Sequence, residues 1–481
     1  MNKIDVVDYL DQEQDALIKL SDEIWSYAET AFEEYKSAAS MMLMLLEHGF
    51  EIEKKVAGID TAFCATYGSG KPVIGILAEF DALSGMSQKE GCATREEVEH
   101  GGNGHGCGHN LFAGGSVGAA IGVKEYLASN NLSGTIKLMG CPGEEGGSGK
   151  AFMARKGAFD GLDIAYAWHP MAFHSIFDVS MLANYQILYK FKGIASHAAS
   201  TPHLGRSALD AVELMNVGVN FLREHVIQEA RIHYAITDTG GFSPNVVQPT
   251  SEVLYLIRAP KTAQVEEIYQ RINKIAQGAA MMTETELEIQ FIKACANVVP
   301  NKTLSKVLYD NFKAVELPKY TEEEQAFASE MAKTLPDVPV DYGRFTQMPA
   351  SERRECAKKL KGKHLCDILL PFYKNASDGI MAGSSDVGDV SWNVPTAQIV
   401  TACYTIGTPE HSWQLVSQGK TSLGHKGMMT AAKVMACAAI DVIENPELTE
   451  VAKKELEHRL EGEKYFCAIP PEVEPCAISG L

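Results

Sequence analysis

The chain has 481 residues, 46% of them hydrophobic and 22% charged, and a formal net charge of −19. That length exceeds what one hydrophobic core serves, so two or three domains are expected, and the composition is globular, not disordered. The negative balance excludes nucleic acid and anionic membrane surfaces as partners, although a bound metal can reverse the field at a site.

No apolar stretch reaches membrane-spanning length, and the opening MNKIDVVDYLDQEQ has no apolar signal core, so no signal peptide and a cytoplasmic protein are expected. Eleven cysteines without a repeating framework read as buried thiols with one ligand among them.

Taken in chain order, Val6, Leu10, Ala16, Leu20 and Ile24 recur at helical spacing, and residues 6–48 read as two helices. Residues 73–78 read as a buried strand, 110–128 as a Gly- and Ala-rich helix and 135–139 as a second strand. A short helix at 151–156 and a third strand at 163–168 follow. This alternation predicts a mostly parallel sheet with helices on both faces. From 185 to 298 the order becomes β-α-β-β-α-β: strands at 185–192, 232–237, 253–259 and 287–294, helices from 207 and over 262–279. That order is the ferredoxin-like unit, read here as an inserted domain. Residues 300–380 read as helical and charged. The α/β pattern returns at 397–404, a long helix spans 421–444, and the tail beyond Tyr465 reads as an extended arm. The expected organisation is an α/β domain of residues 1–184 and 299–481, the second part with a helical insertion and a C-terminal arm, interrupted by a domain at 185–298.

The residues that carry chemistry fall at particular places in this pattern. Gly104-His105-Gly106-Cys107-Gly108-His109-Asn110 offers a thiol and an imidazole, ligands suited to zinc, cobalt or manganese, between glycines that let the backbone turn tightly. Cys141-Pro142-Gly143-Glu144-Glu145-Gly146-Gly147 offers two adjacent carboxylates, one to bind a metal and one to serve as a base. His169 follows an apolar strand, His411 follows the strand ending near Tyr404, and Asp81 ends the strand at 73–79. Each alone fits an ordinary loop. Together they gather at the carboxyl ends of predicted parallel strands, where open α/β sheets form their sites. The inserted domain holds a second set. His197 in Ser196-His197-Ala198-Ala199 is a donor for an oxyanion, Asn245 an auxiliary, and Arg258 a clamp for a substrate carboxylate.

This ordered set resembles the aminoacylase and carboxypeptidase-G-type metallopeptidases. Cys107 resembles their amidohydrolase branch, with the hippurate and auxin-conjugate hydrolases, whose motif ends Cys-Gly-His-Asp where this chain has Asn110. Phe80-Asp81-Ala82-Leu83 and the run from Ser384 to Trp392 extend the resemblance over nearly the whole chain, including 300–380. It implies a catalytic domain carrying two divalent metal ions per subunit, manganese or zinc, or cobalt. It also implies a lid domain at 185–298 that pairs with that of another subunit, a second copy or a paralogue. Carried over, Cys107 would bridge the ions, with His109, Glu145, His169 and His411 completing them. Glu144 would be the base, and His197 would reach a partner's active site. Asp81 would support the metals from behind, while Asn245 and Arg258 would meet the substrate. The implied reaction is hydrolysis of the amide of an N-acyl amino acid such as p-aminobenzoyl-glutamate. Rival readings are a dipeptidase or general N-acyl-amino-acid deacylase, and a non-catalytic subunit of a paralogous hydrolase. The last would be expected to lack a ligand or Glu144, and neither is missing.

Overall fold

The computed structural model describes residues 1–375 and 379–477. Residues 376–378 of the 300–380 segment and residues 478–481 of the expected arm lie outside the described residues. The chain opens with three helices, Lys3–Gln12, Gln14–Tyr27 and Tyr35–Glu47, where the periodicity predicts two. The breaks are tight. Glu13 ends the first helix and begins the second, and Ala28, left-handed at φ 45°, stops the second. Leu10, Leu17, Leu20 and Ile24 still share one buried face across the first break.

Thirteen strands follow among the described residues. β1 (Glu51–Lys54), β2 (Phe63–Ser69), β3 (Val73–Ala78), β4 (Gly134–Gly140), β5 (Ile164–Met171) and β6 (Ser175–Phe177) come first. Next are β7 (Val179–Met181), β8 (Ala183–Lys192), β9 (Arg231–Asp238), β10 (Thr250–Ala259) and β11 (Glu286–Cys295). β12 (Gly379–Met381) and β13 (Thr396–Ala402) complete the set. A seven-stranded sheet has the order β1-β2-β4-β3-β5-β13-β6. Its centre, β4-β3-β5-β13, is parallel, with antiparallel strands at both edges. The sequence Val-Ile-Gly-Ile-Leu-Ala of β3 has no polar alternation because helices cover both faces of such strands. One of them, His109–Asn130, packs against Ser422–Glu444 and is buried on nearly every side, as its Gly- and Ala-rich sequence requires. The chain passes from β3 to β4 on one side and then returns past β3 to β5 on the other. That reversal opens a crevice at the strand ends.

A four-stranded antiparallel sheet has the order β11-β8-β10-β9. Taken within residues 183–295, this is the 4-1-3-2 arrangement of a ferredoxin-like unit. Helices Ala208–Leu222 and Thr262–Thr283 cover one face, over Tyr185, Ile187, Tyr189, Val253, Tyr255 and Ile257, all fully buried. The other face carries the alternate residues.

Residues 300–375 hold helices Lys302–Ala314, Glu322–Ala332 and Ala350–Leu360. The irregular stretch between the last two packs Phe345 and Met348 against Phe177, Cys356 and Leu360 in a small satellite core. β12 pairs in parallel with β7 beside it. The long helix Ser422–Glu444 ends where the sequence predicts, and a further helix, Glu447–Leu460, which sequence reasoning left unassigned, follows it; Pro446 breaks the two. Residues 461–477 form no helix or strand. No helix of the described residues is long and apolar enough to cross a membrane.

Candidate metal centre and active site

The ends of β3, β4, β5 and β13 converge on one cleft of about 350 Å³, lined by Cys107, Glu144, Glu145, His169 and His411 among others. His109 and Asp81 lie directly beneath it, both buried. His169 is within β5, not after it: it pairs with Val400 of β13, and the ladder runs on to Met171 and Ala402. The late loop reaches the cleft because the His411 N–H donates to the Gly106 carbonyl at 2.9 Å. His411 adopts a left-handed φ of 53° there, and half of its side chain stays exposed.

Two glycine-framed turns aim the side chains. Gly108 sits at φ 75° against Tyr404; a Cβ there would lie 2.0 Å from the phenol oxygen, so only glycine fits between Cys107 and His109. Gly143 (φ 67°) and Gly146 (φ 110°) flank Glu144-Glu145, and Glu145 itself leaves helical geometry. The two neighbouring carboxylates therefore face different groups.

Asp81 organises the centre. Its Oδ1 is 2.9 Å from His109 Nδ1, and its Oδ2 accepts the Glu145 N–H at 2.8 Å. The first contact leaves Nε2 of His109 buried, 3.3 Å from Glu79 Oε2 and among the ligand atoms of the cleft. His169 is similarly arranged: Nδ1 lies 3.1 Å from the Pro170 carbonyl and Nε2 lies 3.4 Å from the Cys107 sulfur. Glu145 Oε1 lies 2.9 Å from His411 Nε2. Three groups of ligand atoms result, each within 4.8 Å: Cys107 with His109 and His169, Cys107 with Glu145 and His411, and Glu79 with His109 and Glu144.

The electrostatics show a site short of positive charge. Burial opposes charge on His109, but Asp81, Glu79 and Glu145 outweigh it and push the ring up to about 10. Burial opposes ionisation of Glu145 too, yet His411 and His109 hold it down at about 2. Burial and the carboxylates of Glu145, Glu144 and Glu410 push the Cys107 thiol well up. Burial, Glu79, Glu145 and Asp386 do the same to the Glu144 carboxyl. Burial and the neighbouring His109 push His169 down to about 3, so its ring is neutral. A thiol, two imidazoles and a carboxylate suit a transition-metal cation, and a cation would take the place of the His109 proton and relieve the crowding of acids.

Three further residues were missed by sequence reasoning. Glu79, Lys150 and Asp386 form a fully buried cluster behind Glu144. Lys150 Nζ lies 2.6 Å from both carboxylates, and its backbone N–H donates to Asp386 at 2.8 Å. Glu79 was legible as a carboxylate closing an apolar strand and Asp386 as part of the Ser384–Trp392 run, but nothing marked Lys150. The second predicted set divides. Arg258 lines the cleft. His197 and Asn245 do not: they sit side by side on exposed loops of the four-stranded sheet, where the Ala198 N–H donates to the Asn245 carbonyl at 2.9 Å. Among the described residues they meet no cleft residue, because the loops that carry them are exposed to solvent.

Comparison with known proteins agrees with this geometry. The chain is 47% identical to one of the subunits of the p-aminobenzoyl-glutamate hydrolase of Escherichia coli, with 97% of each chain covered. It is 28% identical to the Xaa-Arg dipeptidase of Mus musculus, over 95% of this chain and 92% of that one. In fold it matches the crystal structure of an aminobenzoyl-glutamate utilization protein from Klebsiella pneumoniae, with a TM-score of 0.60 at 17% identity. That match covers 90% of this chain and 97% of that one. It also matches a dinuclear metal-binding peptidase from Bacillus subtilis, with a TM-score of 0.55 at 17% identity, covering 90% and 99%. The model of peptidase family M20/M25/M40 matches residues 75–357. The chain is therefore a member of peptidase family M20/M25/M40, a hydrolase of amide bonds.

Proposed function

We propose that the protein hydrolyses p-aminobenzoyl-glutamate to p-aminobenzoate and glutamate with a pair of divalent metal ions, manganese or zinc, or cobalt. The observation that carries this is the sharing of Cys107 between two ligand groups, one with His109 and His169 and one with Glu145 and His411. In this reading Cys107, His109, Glu145, His169 and His411 would hold the ions, and Asp81 fixes His109 and Glu145 from behind. Bound there, the metals supply Lewis acidity toward water and the scissile carbonyl. Glu144 lies beside them but in neither Cys107 group, so it is free to accept the proton of the attacking water and deliver it to the departing nitrogen. Arg258 holds a substrate carboxylate. The similarity to the E. coli hydrolase supports the substrate.

Residues 185–298 act in this reading as a lid and dimerisation domain, between the two parts of a catalytic domain at 1–184 and 299–481. β9 is an edge strand, and Tyr234 and Ile236 on it, with Leu214, Val217 and Phe221 on the adjoining helix, leave an exposed apolar surface suited to pairing. The partner is a second copy or a paralogous subunit, and His197 and Asn245 enter its cleft. Eleven free cysteines fit a reducing compartment, the cytoplasm. A dipeptidase acting before a basic residue is the second reading, from the mouse relative; the cations Arg258 and Lys293 in the cleft disfavour it. Metal-loaded protein should release p-aminobenzoate from p-aminobenzoyl-glutamate. Absence of release, both alone and with a paralogous partner present, would overturn the assignment.

A further inference from the structure

Lys293 is out of phase with its own strand. In β11, Leu287, Ile289 and Phe291 share a face, and Phe291 pairs with Ile187 on the side that the helices cover. By strict alternation Lys293 would point there too. The register instead shifts between Phe291 and Lys293: Ile292 is an extra residue, and Lys293 pairs with Gln186. This bulge turns Lys293 to the opposite face, the one that looks into the cleft. Arg258 stands on the same face of β10, opposite Asn184 of β8, which in turn pairs with Cys295.

Lys293 is 8% exposed. Ammonium groups that deeply buried are ordinarily paired, yet among the described residues it forms no ion pair or hydrogen bond, although it lines the cleft. Of the three Lys and Arg side chains lining that cleft, Arg344 is held by Glu410 at 3.0 Å. Arg258 touches only the Ala382 carbonyl, at 3.5 Å. Among the described residues, two cations are thus left facing the cleft without a counter-ion. They stand two strands apart, about 10 Å laterally, a gap that two long side chains can narrow around a short diacid.

We propose that Lys293 is a specificity-determining residue: it receives the side-chain carboxylate of a dicarboxylic amino acid whose α-carboxylate Arg258 holds. The inference rests on the substrate reading above and deepens it, since it names what selects glutamate. The bulge then has a reason, because it presents an ammonium group in a poorly hydrated wall where an incoming anion completes the pair.

The test compares p-aminobenzoyl-glutamate with p-aminobenzoyl-glutamine, which has the same shape without the side-chain charge, on metal-loaded wild type, Lys293→Gln and Lys293→Arg. The wild type should prefer the glutamate compound by roughly 10- to 100-fold in kcat/KM, the range of one charge-assisted hydrogen bond. Lys293→Gln should bring that ratio close to one, mainly through KM, while metal content stays that of the wild type. Lys293→Arg should recover part of it. A ratio that survives in Lys293→Gln, or a wild type that does not discriminate, would overturn the assignment. If the wild type cleaves other N-acyl amino acids but neither of these, the substrate reading fails by itself. Free glutamate and glutamine as competitive inhibitors then read Lys293 directly: selective loss of glutamate binding in Lys293→Gln supports the role, and unchanged binding overturns it.

Discussion

The two sheets treat their polar residues in opposite ways. At the carboxyl ends of the parallel strands, Asp81, His109 and the Glu79–Lys150–Asp386 cluster are buried, Glu145 is nearly so, and all are held by named partners. On the four-stranded sheet, among the described residues, His197 and Asn245 are exposed and bind only neighbouring loop backbone, while Arg258 and Lys293 face the cleft without a counter-ion. The first region is organised before anything binds. In the proposed reading the second region is completed from outside this chain, by a substrate for the cations and a partner subunit for His197. Preorganisation of charge favours catalysis in the first case, and unpaired groups favour recognition in the second.

The sharpest way to break this contrast is to remove the metals. Chelation should abolish amide hydrolysis, and manganese, zinc or cobalt should restore it. Active protein free of transition metal by elemental analysis would contradict the ligand assignment. Next in size is the buried cluster. Lys150→Met leaves Glu79 and Asp386 buried without a countercharge, so unfolding stability should drop by about 3–5 kcal/mol. An unchanged denaturation midpoint would mean that the cluster is not the support described.

His197→Ala should slow turnover by roughly 10²–10³-fold, the usual loss on removing one oxyanion donor, with metal content intact. Mixing it with Glu144→Ala should restore activity if His197 serves a partner's cleft, because mixed dimers contain one site with both residues. No recovery after verified subunit exchange would place its action within its own chain.

The effect that is smallest per step of its variable, the pH, lies away from the site. His174 is fully buried against Phe312, and burial pushes its imidazole down to about 3 from 6.5. The folded pKa is depressed, so below 6.5 the unfolded state takes up the proton that the folded state refuses. Stability then falls by up to about 1.4 kcal/mol per pH unit between 6.5 and 3. His174→Gln removes that dependence, and its stability deficit against wild type should shrink as pH drops from 7 to 4. Parallel acid-unfolding curves would contradict the shift.

Much of the site was legible because its residues follow strand ends in a pattern that periodicity reveals. Asp81, the Glu144-Glu145 pair and His411 lie after apolar runs, and the Cys107–His109 loop opens a helix. The β-α-β-β-α-β order was legible for the same reason. What escaped depends on contacts distant in sequence. Lys150 lies in an ordinary short helix, and only the fold brings it to Asp386, 236 positions later. Lys293 was hidden by the bulge, since strict alternation assigns it to the covered face. The helix Glu447–Leu460 went unassigned because it is mostly charged and buries only Thr449, Ala452 and Leu456, too few apolar positions for periodicity to reveal.

The central claim is that two adjacent carboxylates have separate duties, Glu145 holding metal and Glu144 carrying the proton. Metal content and turnover of p-aminobenzoyl-glutamate, measured together on Glu144→Ala and Glu145→Ala, test it most directly. Glu144→Ala should keep the wild-type metal complement and lose turnover by roughly 10²–10⁴-fold, whereas Glu145→Ala should lose metal. The reverse pair of phenotypes, or full activity in both, would contradict the account.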